Sequence, residues 1–231
     1  MPLFKAISTS TGIAIFMAAI MPAQILAQTP DESLTRYAVN INQTPKQSWP
    51  GYGIYLGKGF VITAAHVVGH ASLTKPTVII AGQEFPAKVI KEGSFDTIDL
   101  TLLSLEEERL PVWLRLRRNP LCTTEVFVGE PVIVAVPEGI ARSRIVSPRL
   151  LTPNLRAKFT TLVGDVARTG NSGSGVFDAR NKCLLGIMSR KIQGIRSTET
   201  NGETVNETID LAKYFVPAST IATFIPTELH L

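Results

Sequence analysis

Residues 53–66 read GIYLGKGFVITAAH. Two short apolar runs, 53–56 and 60–64, are parted by a glycine-bearing interval, and the second delivers the chain to a histidine. Runs this short, rich in Ile, Val, Leu and Phe and bounded by turn residues, mark strands. The pattern recurs at intervals near ten residues. It returns at 77–81, 84–91 and 100–105, and then in a second set at 124–136, 141–148, 158–163, 175–178, 183–189 and 208–215. Between the sets lies 106–120, charged and then arginine-rich (LRLRRNP at its end), which reads as a connector. This organisation predicts an all-β chain of two antiparallel barrels, the first over about 51–110 and the second over about 121–216. Helix is confined to a single turn at 64–69 and a short C-terminal helix at 217–225, opened by a proline that a first turn tolerates.

Composition excludes several classes. The chain has 231 residues, 45% hydrophobic and 18% charged, which is globular usage rather than disorder, collagen or coiled coil. The formal charge of +4 is spread out, with no run of Lys or Arg longer than two residues, and aromatics make up only 7%. Neither a phosphate-binding footprint nor a base-stacking platform is present, so nucleic acid is not an expected partner.

Lys5 is the only charge before Asp31, and 12–23 (GIAIFMAAIMPA) is an apolar run ending in small residues. As a helix it rises about 18 Å against a hydrocarbon core of about 30 Å. The charged, apolar and small-residue order reads as a signal peptide over 1–27, cut after Ala27. An uncleaved anchor recruiting the neighbouring polar residues is the alternative, and either places the remainder outside the cytoplasm, secreted or periplasmic. Stretch 28–50 is polar and shows no period, as in a leader or propeptide, so the folded domain is expected over 51–231. Cys122 and Cys183 suit one disulfide in an oxidising compartment, worth about 4 kcal/mol by chain entropy. Two buried thiols are the alternative. Neither cysteine has a second Cys or a His at chelating spacing, so no metal and no cofactor are expected.

Three segments carry candidate chemistry. His66, His70 and His230 are the histidines, and histidine is the usual base near neutral pH. His230 lies in the terminal tail and His70 in a loop after Gly69, whereas His66 ends a strand run and so sits at a barrel rim. The turn 169–175 (TGNSGSG) holds Ser172 between glycines. A serine hydroxyl needs a neighbouring base to become a nucleophile, and in a tight turn the amides of Gly170 and Ser172 can converge on a developing oxyanion. Alone, such a turn is ordinarily just a turn. The third segment, 95–103 (FDTIDLTLL), offers Asp99 at the start of an apolar strand and Asp96 in the turn before it. An imidazole that must keep one tautomer needs a fixed carboxylate on its other nitrogen. The order is His, Asp, Ser, with the first two on one barrel and the third on the other, which puts the site in the cleft between them.

The blocks Ile62-Thr63-Ala64-Ala65-His66-Val67-Val68, Asp99-Leu100-Thr101-Leu102-Leu103 and Gly170-Asn171-Ser172-Gly173-Ser174-Gly175 resemble the motif blocks of chymotrypsin-fold, trypsin-like serine peptidases. The likeness is greatest to the bacterial exported branch with the high-temperature-requirement and glutamyl endopeptidase types. It runs over roughly 51–225. The resemblance implies two six-stranded barrels and hydrolysis of peptide bonds in protein or peptide substrates through an acyl-enzyme. It assigns His66 as general base and acid, Asp99 as its orienter, Ser172 as nucleophile, and the amides of Gly170 and Ser172 as oxyanion hole. A catalytically inactive scaffold of the same fold is the alternative function. Asn171 stands where animal digestive members carry an aspartate, and no Ile-Val-Gly-Gly sequence is present, so activation by a buried new N-terminus is not expected. Val166 lies where an acid would select basic side chains. A preference for acidic residues would need Arg168, Arg190 or Lys191 to face the pocket. No peptide-binding module follows 225, so the multidomain form is not expected.

Overall fold

Strand β1 spans Ala38–Asn42 and β2 spans Gly51–Gly57. Ile54 and Tyr55, adjacent on β2, are both wholly buried. Successive side chains on a strand point to opposite faces, so β2 must be covered on both. This is why its sequence is a continuous apolar run rather than an alternation. The computed structural model describes residues 31–43, 50–164, 172–200 and 203–231. The signal-peptide reading falls outside these residues, as do Val166, Arg168, Gly170 and Asn171.

The first sheet adds β3 (Phe60–Thr63), β4 (Thr77–Ile80), β5 (Gln83–Pro86), β6 (Lys88–Glu92) and β7 (Thr101–Ser104). All its pairings are antiparallel, in the order β5-β4-β1-β2-β3-β7-β6. Its two edges, β5 and β6, are separated along the chain by Ala87 alone. The sheet therefore curls until its edges meet at that corner, and the single strand expected over 84–91 is one strand bent in the middle.

One expectation is corrected. Segment 28–50, read as a leader, contains β1, which lies between β4 and β2 with Val39 and Ile41 fully buried. Ala38 is opposite Ile54 and Asn40 is opposite Ile79, so the segment supplies an interior strand of the first barrel. Only two strong apolar residues mark it, and the flanking asparagines hide their period of two. Just before it, a 3-10 turn (Glu32–Tyr37) reaches across to the second barrel. Leu34 is buried in the cluster between the barrels, and Asp31 accepts from Arg142 Nε at 3.1 Å and from Lys182 Nζ.

The second sheet is a closed ring. It comprises β8 (Pro131–Val136), β9 (Gly139–Val146), β10 (Leu162–Val163), β11 (Gly175–Asp178), β12 (Leu184–Thr200) and β13 (Glu203–Pro217), in the order β10-β13-β12-β11-β8-β9 with β9 closing on β10. Together the sheets make the mostly-β, two-barrel architecture that the strand spacing predicted. Helices are short: α1 (Ala65–Val68), α2 (Val112–Arg115), α3 (Pro153–Lys158) and α4 (Ala218–Phe224). The strand expected over 158–163 shrinks to β10: α3 takes Lys158, and the Phe159 amide still donates back to Leu155 O at 2.8 Å. The strand expected from 124 begins only at Pro131, since Glu130 folds back to accept from the Phe127 amide at 3.1 Å. β12 and β13 run past the barrel as a paired ribbon of mainly polar residues in which Ile195 and Val205 are exposed.

Each barrel has its own interior, with Val39, Tyr55, Val61 and Leu103 in the first and Val132, Val134, Met188 and Phe215 in the second. Between them Ile54, Ile62, Leu102, Ile133, Phe177 and Ile187 pack together, capped by Ile221 and Phe224 of α4. This shared layer fixes how the barrel rims face each other. Cys122 and Cys183 form a disulfide, Cα atoms 5.1 Å apart, tying the connector's end to the start of β12.

Candidate active site

His66 lies in α1, two residues after the extended Ala64 that follows β3. Asp99 precedes β7, and β3 and β7 pair with Thr63 opposite Thr101. In an antiparallel pair the chain leaving one strand meets the chain entering the other, so residues just beyond Thr63 lie beside those just before Thr101. The His66 amide donates to Asp99 Oδ1 at 3.1 Å, and the ring Nδ1 lies 3.0 Å from Oδ1 and 2.9 Å from Oδ2. A carboxylate only accepts, so Nδ1 carries a proton, and in the neutral imidazole Nε2 then keeps the lone pair.

Asp99 is 2% exposed. Ser189, the residue on β12 after Met188, donates its hydroxyl to Asp99 Oδ2 at 2.6 Å. Burial pushes the carboxyl's pKa up, but hydrogen bonds from His66 and Ser189, the imidazole's charge and the His66 amide outweigh it. The net effect holds Asp99 below the ordinary carboxylate range. The imidazole is 31% exposed, and its plane meets the Phe95 ring edge-on at 5.2 Å and 84°. Asp96, the other candidate orienter, is exposed and does not join this network. His70 pairs with Glu92 at 3.0 Å on the surface.

Ser172 opens the turn into β11, held from both barrels. Its carbonyl accepts from the Tyr52 amide of β2 at 3.2 Å, and the Gly173 amide donates to Met188 O at 2.8 Å. Gly173 has φ +88°, and a Cβ there would stand 1.8 Å from the Tyr52 carbonyl oxygen. Only glycine fits both constraints. The Ser172 hydroxyl donates to the Ser189 carbonyl at 3.1 Å; among the described residues no hydrogen bond joins it to His66. Ser189 thus touches both ends of the site, with its hydroxyl on Asp99 and its carbonyl on Ser172. The sequence signalled Ser189 only as the last residue of an apolar strand.

Of the cations weighed for the pocket, Arg190 turns to the aromatic side. Its guanidinium lies 3.7 Å over the Phe95 ring and 5.4 Å from the Phe159 ring. Lys191 stands opposite Lys213 and pairs with Asp210 at 3.2 Å. A cavity of about 450 Å³ behind Asp99 is lined by Phe95, Lys158, Phe159, Arg190 and Tyr214. Among the described residues no cluster of His, Cys, Asp and Glu is arranged to hold a metal ion, and no helix is long and apolar enough to cross a membrane.

Two β-barrels packed rim to rim, with a histidine-carboxylate pair on one and a glycine-flanked serine on the other, define the chymotrypsin-like class of serine peptidase folds. Residues 51–187 match the model of the trypsin-like peptidase domain, and the chain belongs to that family. A search of curated proteins gives no significant match. Among solved structures, the active form of the Rv3671c protease from M. tuberculosis is similar over 95% of this chain and 92% of its own, at 18% identity and TM-score 0.54. The MamO protease domain from Magnetospirillum magneticum is 19% identical, with 84% and 97% covered and TM-score 0.55. The serine endoprotease from Yersinia pestis is 18% identical, with 85% and 63% covered and TM-score 0.57. At these identities the likenesses speak for the fold.

Proposed function

We propose that this serine peptidase is exported and works as an endopeptidase, with His66, Asp99 and Ser172 as its catalytic triad. The observation that carries the reading is the pair of His66 with the buried Asp99, set across the barrel junction from the Ser172 turn, with Ser189 in contact with both. For attack, the Ser172 hydroxyl turns from the Ser189 carbonyl to His66 Nε2. Its oxygen bonds to the substrate carbonyl carbon as its proton passes to the imidazole. Asp99 supports the resulting imidazolium without taking its proton. The oxyanion is assigned to the amides of Gly170 and Ser172. The tetrahedral intermediate expels the amine, which takes the proton from His66 and leaves an acyl-enzyme. A water deprotonated by His66 attacks the ester, and collapse returns the proton to Ser172 and frees the acid. No cofactor enters these steps. Substrates are proteins or peptides.

Export to the periplasm or medium rests on the signal-like segment 1–27 together with the Cys122–Cys183 disulfide. A catalytically inactive scaffold is the second reading, favoured by the one fact that Ser172 donates to Ser189 rather than to His66. A fluorophosphonate probe decides between them. Labelling of Ser172, located by peptide mass spectrometry and lost in Ser172→Ala, supports the peptidase; wild-type protein that stays unlabelled supports the scaffold.

A further inference from the structure

We propose that Arg190 is a positioning residue that fixes the His66–Asp99 pair from two sides by holding the Ser189 hydroxyl and the Phe95 loop at once. The inference rests on the peptidase reading only for its effect on turnover.

The Ser189 hydroxyl has one proton and is free to rotate unless its lone pairs are engaged. Arg190 Nε donates to that oxygen at 3.3 Å, while the same oxygen donates to Asp99 Oδ2 at 2.6 Å. With a lone pair occupied by a cationic donor, the hydroxyl's proton is directed at the carboxylate. The other arm of the fork donates from Nη2 to the Phe95 carbonyl. The guanidinium carbon also lies over the Phe95 ring, 3.7 Å from its centroid, a cation–π contact. Phe95 is 45% exposed and sits in the loop between β6 and β7, where an aromatic ring has little else to hold it. That ring meets the imidazole edge-on. Phe95 belongs to the first barrel and Arg190 to the second, so one side chain spans the junction where the site is assembled.

The electrostatic setting agrees. The charged or titratable groups around the pair are Asp99 itself, then Arg190 and Tyr214 from the second barrel, with Asp96 and Lys158 at the cavity's lip. Burial raises the Tyr214 pKa, Arg190 pulls it down and Asp99 pushes it up, so the phenol feels both charges. Lysine cannot copy this role, because it lacks the planar fork that donates to Ser189 and to Phe95 at once while its charge lies over the ring.

The test uses the full chain in a Ser172→Ala background, so that it needs no turnover. The ring resonances of His66 are followed against pH by NMR. Without Arg190, Asp99 is less engaged by Ser189 and attracts the imidazolium more strongly. In Arg190→Met the midpoint is therefore expected to rise by about half a unit, Arg190→Lys should not restore it, and adding Ser189→Ala should move it no further. A midpoint unchanged in Arg190→Met, or shifts from the two substitutions that simply add, overturns the proposal. Arg190→Gln serves in the same way if the methionine variant does not fold. In the active enzyme the acid limb of kcat/KM should move with the NMR midpoint, with kcat down about tenfold at an unchanged KM. Wild-type protein that never reacts with fluorophosphonate removes the peptidase reading but leaves the NMR result to decide Arg190.

Discussion

Thr63 and Thr101 face each other across the β3–β7 ladder, and this one register places His66 against Asp99. A slip of one residue would turn every side chain of β7 to the opposite face. The core residues Leu102 and Leu103, buried on opposite faces, hold that register. Packing in the barrel therefore sets the alignment of the chemistry at its rim.

Asp99→Asn should lower kcat by about 10⁴, since the amide can hold the imidazole in the wrong tautomer. Asp96→Asn should stay within about twofold, as expected of an exposed turn residue outside the network. Steady-state hydrolysis of a peptide substrate compares the two. The reverse ranking would reassign the orienter.

Ser172→Ala should reduce kcat by about 10⁶ and leave the fold intact. The half-buried hydroxyl gives up one hydrogen bond, to the Ser189 carbonyl, worth about 1 kcal/mol. Thermal melts of both proteins check this, and a large drop in Tm would mean that Ser172 is a structural residue.

Gly173→Ala should unseat the Ser172 turn. The added methyl collides with the backbone carbonyl of Tyr52, which cannot swing aside as a flexible side chain can, and φ is positive as well. Loss of fluorophosphonate labelling with most of the circular dichroism retained is the expected signature.

Asp31 should make stability depend on pH. Hydrogen bonds from Lys182 and then Arg142 hold its carboxyl below the ordinary value. A lowered folded pKa contributes stability that is present above the unfolded value and is lost as pH falls through the folded one. Wild type should therefore exceed Asp31→Asn in Tm at pH 6, with the gap closing from about pH 5 downward. A gap unchanged down to pH 2 would refute the linkage.

Removing the disulfide by Cys122→Ala with Cys183→Ala should cost about 4 kcal/mol, or about 10 °C in Tm for a chain of this size. Scanning calorimetry with and without reductant gives the same comparison on wild-type protein.

Much of this was readable in advance. His66 and Asp99 stand out because each polar residue lies at one end of an apolar run, which is where strands deliver side chains to a rim, and Ser172 stands out by the glycines around it. β1 was hidden because an interior strand can be short and contain asparagines if its neighbours are apolar enough. The outer parts of β12 and β13 were hidden because their pairing is between backbones, with threonine and glutamate side chains that carry no burial signal. α3 was lost to a stretch whose only helical mark is Pro153. Ser189 and Arg190 are undistinguished as residue types, and their importance comes from folding next to Asp99 and Phe95.

The N-terminal stretch that joins both barrels also sets an order of events. Asp31 and β1 leave the ribosome before their partners: β1 needs β2 and β4 on either side, and Asp31 waits for Lys182, 151 residues later. A chain emerging amino end first can seat β1 once β2 and β4 have followed, but the tie from Asp31 to the second barrel cannot close until Lys182 is out, so the two barrels lock together late in synthesis.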